Sequence, residues 1–326
     1  MHLVDINNIF SGDAIRFNDY CAELYRFQIE NNVVYREWVN LIHPTNTNDK
    51  IPQNIPALPI SFFKERRVIS GDFEPEKTFE SSGTTGIVTS RHLVKRLDIY
   101  EQSFRAGFKY FYGDVKEWCV IALLPAYLER ENSSLVYMAK ELIAESGDAE
   151  SGFYLYDYAG LSATLQRLEA RGQKTLLLGV TFALLDFSAQ FPQQLKHTVV
   201  METGGMKGRG RELTRAELHG VLKERLGVQQ IHAEYGMTEL LSQAYSTGGG
   251  RYVCPPWMQV MVRSEDDPFM VTTEGTGILQ IIDLANIYSC CFIATQDIGK
   301  VYADGSFEVL GRMDNSDMRG CSLLVV

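Results

Sequence analysis

With 326 residues, 45% apolar and 22% charged, the chain has the composition of a globular protein about two domains long, which excludes collagen-like, coiled-coil and disordered classes. Thirty-one basic against 41 acidic residues leave a formal charge of −10. That balance argues against nucleic-acid or anionic-membrane binding as a general function, while leaving room for a local basic pocket for phosphates. The cysteines Cys21, Cys119, Cys254, Cys290, Cys291 and Cys321 form no CxxC pair, so neither a disulfide framework nor a zinc site is expected. Met1-His2-Leu3-Val4-Asp5 lacks the features of a secretory signal, and no 18 consecutive residues are apolar; a cytoplasmic protein without a membrane span is expected.

In chain order, apolar residues at helical intervals (Phe17, Tyr20, Leu24, Phe27) predict a helix over 13–31, and a second helix is predicted over 33–42. Residues 46–59, with Pro52, Pro56 and Pro59, read as an irregular connector. A strand-sized run at 77–80 leads through a glycine loop to a predicted helix at 97–112. Strand-then-helix pairs follow at 118–124 and 133–146, 153–156 and 161–171, 175–180 and 182–190, and 198–201 and 213–226. Short apolar strands alternating with amphipathic helices predict an α/β domain with a large, mostly parallel sheet covered on both faces. Beyond residue 250, short runs at 260–262, 278–284, 291–294 and 307–310, with the hairpin signal Asp304-Gly305, predict a smaller antiparallel β-rich region. The expected organisation is a helical segment and connector at 1–58, an α/β nucleotide- and acyl-binding core at 59–250, and a β-rich region at 251–326 ending in a hinge-like segment.

Four strings carry candidate chemistry. Ser81-Ser82-Gly83-Thr84-Thr85-Gly86 follows a predicted strand and offers backbone N–H groups and hydroxyls to phosphate oxygens, although the string alone reads equally as a polar turn. It is not a GxxxxGK[ST] loop, and the chain also lacks GxGxxG, GxSxG and HExxH. In Glu234-Tyr235-Gly236-Met237-Thr238-Glu239, Tyr235 offers a ring to a base, Thr238 a hydroxyl to a phosphate and Glu239 a hard oxygen to Mg²⁺. Asp297 in Gln296-Asp297-Ile298-Gly299 suits the hydroxyls of a ribose, and Arg312 in Gly311-Arg312-Met313-Asp314 suits ribose or phosphate oxygens. Each of these three, alone, reads as an ordinary turn.

In order and spacing these strings resemble the adenylate-forming (ANL) superfamily, whose members include acyl-CoA synthetases, luciferases and peptide-synthetase adenylation domains. The resemblance runs from about residue 59 to the end. It implies an ANL N-terminal-domain-like fold, ATP and Mg²⁺ as cofactors, and Ser81 to Gly86 on the β- and γ-phosphates. It further implies Tyr235, Thr238 and Glu239 at adenine, α-phosphate and metal, Gly204 and Gly205 flanking adenine, and Asp297 and Arg312 on the ribose. Val180-Thr181-Phe182 is similar to the segment lining the acyl pocket. Leu58-Pro59-Ile60-Ser61-Phe62-Phe63-Lys64 and Arg319-Gly320-Cys321-Ser322 resemble the LuxE-type acyl-protein synthetases, which carry an acyl group on their own cysteine.

The sequence departs from the superfamily pattern where Ser90-Arg91 replaces Pro-Lys and Gln296 replaces a glycine; Arg91 keeps a positive charge beside the loop. The sequence also ends just past Asp314, where the superfamily's C-terminal lid with its catalytic lysine would begin. The expected function is ATP-dependent activation of a carboxylic, and specifically fatty, acid with transfer to a thiol. MgATP is expected between the α/β and β-rich regions. The acceptor is Cys321, coenzyme A or a carrier protein, and an acyl-reductase is an expected partner. The alternative is a nucleotide- or acyl-binding subunit that does not adenylate and acts within a complex. His232 and the pair Cys290-Cys291 read as structural, and Lys207, Arg209 and Arg211 equally as a solvated loop or an anion-attracting one.

Overall fold

The computed structural model describes residues 6–10, 16–42, 48–81, 89–125, 132–204, 213–264, 266–267 and 269–313. They fall into two compact units, one comprising residues 1–72 with 256–326 and the other residues 73–255.

The unit 73–255 is built on a six-stranded sheet ordered Gly152–Phe153, Cys119–Leu123, Thr175–Val180, Thr198–Thr203, His232–Tyr235 and Ala244–Ser246. The first five are parallel and the last runs antiparallel to its neighbour. Cys119–Leu123 and Thr175–Val180 are buried at every position, which is why these runs are continuously apolar rather than alternating. The helices between them start on side-chain caps. Ser133 accepts from Val136 N–H, Asp157 from Gly160 N–H, and Thr214 with Glu217 forms a reciprocal capping box at the head of Arg215–Leu226. That last helix ends on Gly227 in the left-handed conformation, φ +66°.

Two elements of this unit depart from the expected pattern. The stretch after residue 80 does not lead straight to a helix: Lys77–Glu80 pairs antiparallel with a strand Arg91–Val94, and only then does the helix Leu97–Tyr112 begin. The expected strand at 153–156 is the two-residue Gly152–Phe153, because Asp157 caps a helix that already starts at Tyr158.

In the other unit, Met258–Arg263, Gly275–Asp283, Phe292–Val301 and Phe307–Arg312 form antiparallel neighbours, and Leu58–Pro59 adds to Phe292–Val301 in parallel. Asp304-Gly305 makes the expected tight turn, with Gly305 at φ +79°. The expected boundaries at 58 and 250 therefore shift: the N-terminal helices Phe17–Asn31 and Val33–Ile42 share a unit with the β-rich region. The reason is two buried amides. Gln28 Nε2 donates to the carbonyls of Asn286 and Ile287, both at 3.0 Å, and its Oε1 accepts from Cys291 N–H. Asn32 Nδ2 donates to Ser289 O while its Oδ1 accepts from Tyr35 N–H, starting the second helix.

Candidate active site

Parallel strands place all their carboxyl ends on one edge of a sheet, the usual ligand edge of such folds. Here the register aligns Val180 with Thr203 and Thr203 with Glu234, so Thr181, Gly204 and Tyr235-Gly236 emerge side by side. The hydroxyl of Thr181 donates to Gly204 O at 2.6 Å, with Glu202 Oε2 at 3.4 Å. Gly204 is exposed at φ +70°, and a Cβ built there meets nothing within 4 Å. The backbone conformation thus favours glycine, and among the described residues none fills the space beside it.

Thr203 and Glu234 face one side of the sheet, where the Thr203 hydroxyl donates to Glu234 Oε2 at 2.5 Å. Burial pushes the Glu234 carboxyl up to about 7; the Thr203 bond lowers it and the Glu202 charge raises it further. Glu202, one residue before Thr203, faces the opposite side, where Arg215 Nε lies at 3.8 Å and His219 Nε2 at 3.7 Å. A Cβ on Gly236 would run into Glu234 Oε1, so a side chain there would make the Glu234 carboxyl shift. Tyr235 is buried, its ring centroid 5.8 Å from that of Tyr252, over which the Arg215 guanidinium stacks at 5.3 Å. Past it, Thr238 is half-buried and Glu239 is buried.

The Ser/Thr/Gly string connects the strands Lys77–Glu80 and Arg91–Val94, and Ser81 closes its base. Its N–H donates to Ser90 O at 3.0 Å, and its hydroxyl oxygen accepts from Ser90 N–H at 2.9 Å. Ser82, Gly83, Thr84, Thr85 and Gly86 lie outside the described residues, as do Gly205, Lys207, Arg209, Arg211 and Cys321. Arg91 is exposed and faces Glu80 across the hairpin. Its neighbour His92 points inward, and His92 Nδ1 lies 2.9 Å from Thr238 O.

In the other unit Asp297 and Arg312 are register partners, with Arg312 Nε 3.9 Å from Asp297 Oδ1. Asp297 N–H donates to the Thr295 hydroxyl oxygen at 3.1 Å, which fixes the strand locally. Among the described residues no group of three or more His, Cys, Asp and Glu side chains is arranged to hold a metal ion. His232 hydrogen-bonds Tyr112 Oη at 3.2 Å and is lowered by burial, in keeping with a structural role. Cys290 and Cys291 are fully buried, and burial pushes the Cys290 thiol up to about 12.

Sequence reasoning missed Glu202, Glu234, Thr181 as a donor, and His92. His92 can be read only with the pairing: once Arg91–Val94 is set against Lys77–Glu80, it stands at an inward position beside the apolar Phe79 and Val94.

Comparison with known proteins extends this geometry. The family profile "Acyl-protein synthetase, LuxE" matches residues 13–326. The long-chain-fatty-acid–luciferin-component ligase of Vibrio harveyi is 23% identical over 325 residues, spanning 92% of this chain and 84% of that protein. Among solved structures, ATP-bound MatB from Rhodopseudomonas palustris superposes with a TM-score of 0.53 at 16% identity, covering 72% of this chain and 47% of that one. A long-chain-fatty-acid-CoA ligase (FadD1) from Archaeoglobus fulgidus gives 0.51 at 13% identity, covering 72% and 51%. The chain thus spans about half the length of the solved structures it matches. The MatB and FadD1 matches show the fold to be that of the ANL N-terminal domain, and the profile match across nearly the whole sequence shows that the chain belongs to the LuxE family of acyl-protein synthetases.

Proposed function

We propose that the protein activates a long-chain fatty acid with ATP and passes the acyl group to a thiol. The observation that carries this reading is the row of strand ends at which Thr181, Gly204 and Glu234-Tyr235-Gly236 emerge together, in a chain of the LuxE family. The residues present fit a nucleotide. Gly204 leaves open space for a flat base, the backbone at Ser81 and Ser90 closes a loop rich in donors, and Glu239 supplies a hard oxygen suited to Mg²⁺. Mg²⁺, when bound, neutralises phosphate charge as pyrophosphate departs.

The fatty carboxylate attacks the α-phosphorus, the bond to the bridging oxygen of pyrophosphate breaks, and an acyl-adenylate forms. A thiolate then attacks the acyl carbon and releases AMP, leaving a thioester. The protein's part is alignment and charge stabilisation: loop N–H groups and Arg91 on the phosphates, the Thr238 hydroxyl on the α-phosphate, and Glu239 holding the metal. We extend the reading to Asp297 and Arg312 for the ribose, on the resemblance of their strings alone. The acceptor we assign is Cys321, with coenzyme A or a carrier-protein thiol as the competing acceptor and an acyl-reductase as the consumer of the thioester.

The test is pyrophosphate release from MgATP by the purified chain across fatty acids of graded length. Release that depends on a long-chain acid is expected. Release with no acid, or none with any acid, refutes the reading. No helix among the described residues is long and apolar enough to cross a membrane.

A further inference from the structure

The hairpin that carries the Ser/Thr/Gly string has an inner face of Phe79, His92 and Val94 and an outer face carrying Glu80 and Arg91. Phe79 seats this inner face against Tyr100, ring centroids 5.2 Å apart. An apolar residue at 92 would complete the pattern, and a buried imidazole costs free energy unless its polar atoms are satisfied. His92 Nδ1 meets that demand at 2.9 Å from Thr238 O, a residue 146 positions away in sequence. A carbonyl only accepts, so Nδ1 carries the hydrogen. Burial holds the ring well below its usual range, to about 4, so it stays neutral and keeps this donor at any ordinary pH.

The accepting carbonyl belongs to the turn after His232–Tyr235, in which Leu240 N–H donates to Met237 O and leaves Thr238 O directed elsewhere. A carbonyl and the N–H that follows it share one rigid plane, so anchoring Thr238 O also fixes the start of Glu239. On one side of this bond stands the strand that begins with Arg91, immediately after Ser90; on the other stand Thr238 and Glu239.

We propose that His92 is a positioning residue: its Nδ1–H bond to Thr238 O locks the hairpin bearing Ser81 and Arg91 to the Thr238-Glu239 turn, so that the two phosphate-facing parts hold one geometry. This rests on the adenylation reading above. The bond acts on Glu239 as outer partners act on metal ligands generally, where losing one costs about 10–100-fold in affinity or activity.

The test compares His92→Asn, whose amide nitrogen can sit near the place of Nδ1, with His92→Leu, which fills the volume and donates nothing. Both are made in the full chain. Two measurements are taken: calorimetric affinity for MgATP, and amide hydrogen exchange of the segment 236–241 in protein free of nucleotide and metal. His92→Leu is expected to weaken MgATP binding about tenfold or more and to speed exchange across 236–241. His92→Asn should stay within about threefold of the parent on both. Parent-like affinity and exchange in a folded His92→Leu overturn the proposal, and so does a His92→Asn as impaired as His92→Leu. A parent chain that binds no MgATP overturns the adenylation reading and this assignment with it, an outcome separated from the others because it appears before any substitution is made.

Discussion

Glu234 gives the sharpest physical test, because it is a buried carboxyl one residue before Tyr235. Burial moves it from an ordinary 4.5 to about 7 in the folded chain. Between those values the folded state keeps a proton that the unfolded state has released, so stability falls as pH rises through this window. At about 1.4 kcal/mol per pH unit, the full interval is worth about 3 kcal/mol, absent below pH 4.5 and fully felt above about 7. Glu234→Gln cannot ionise, and its carbonyl oxygen can still accept the Thr203 hydroxyl. Urea unfolding of both proteins at intervals from pH 4.5 to pH 8 isolates the term, since other titrating groups cancel in the difference. The expected result is a gap that widens in favour of Glu234→Gln by about 3 kcal/mol across this range. Parallel stability curves would refute the reasoning and mean that Glu234 is ionised and solvated in the fold.

Three further outcomes follow from the same structure. Gln28→Leu strands the carbonyls of Asn286 and Ile287 and the N–H of Cys291, and should cost about 3 kcal/mol or more in chemical denaturation, at 1–3 kcal/mol per unsatisfied buried group. Gly204→Ala meets no neighbour but is held at φ +70°, so a loss of only about 1–2 kcal/mol in stability is expected. Thr181→Val keeps the shape and removes the hydrogen bond to Gly204 O; ATP affinity by calorimetry should fall about five- to tenfold, with Thr181→Ser restoring it.

Much of the α/β unit was legible because its signal is local. The run 97–112 carries a helical period and 175–180 a continuous apolar stretch in their own residues, and both coincide with the observed elements. The strand Arg91–Val94 was not legible, since Arg-His-Leu-Val shows two apolar residues in four and its partner lies across a loop. The pairing, not the composition, makes it a strand. The same reason hid the grouping of the N-terminal helices with the β-rich region, which depends on Gln28 reaching main-chain groups 258 and 259 residues away. At the candidate site, the strings named Gly204, Tyr235, Thr238 and Glu239 directly. The hydrogen bonds that hold them, made by Thr181, Thr203, Glu234 and His92, became visible only in the structure.

The thiol acceptor can be narrowed by the chemistry of the cysteines themselves. Thioester formation needs a thiolate within reach of the acyl carbon, and burial in apolar surroundings works against both. Cys21, Cys119, Cys290 and Cys291 are all buried; burial raises each thiol, Cys119 and Cys290 to about 12, so almost no thiolate is present at neutral pH. Cys290 and Cys291 are tied further into the fold, by Cys290 Sγ to Phe292 O and by Gln28 Nε2 to Cys291 Sγ. Of the described cysteines only Cys254 is not buried, and Cys321 lies outside the described residues. Self-acylation therefore has two candidates, and the resemblance favours Cys321. Incubation with labelled fatty acid, ATP and Mg²⁺ should leave a hydroxylamine-sensitive adduct that Cys321→Ser abolishes and Cys254→Ser retains. The opposite pattern moves the acceptor to Cys254. Pyrophosphate release with no adduct in the parent assigns the transfer to an external thiol.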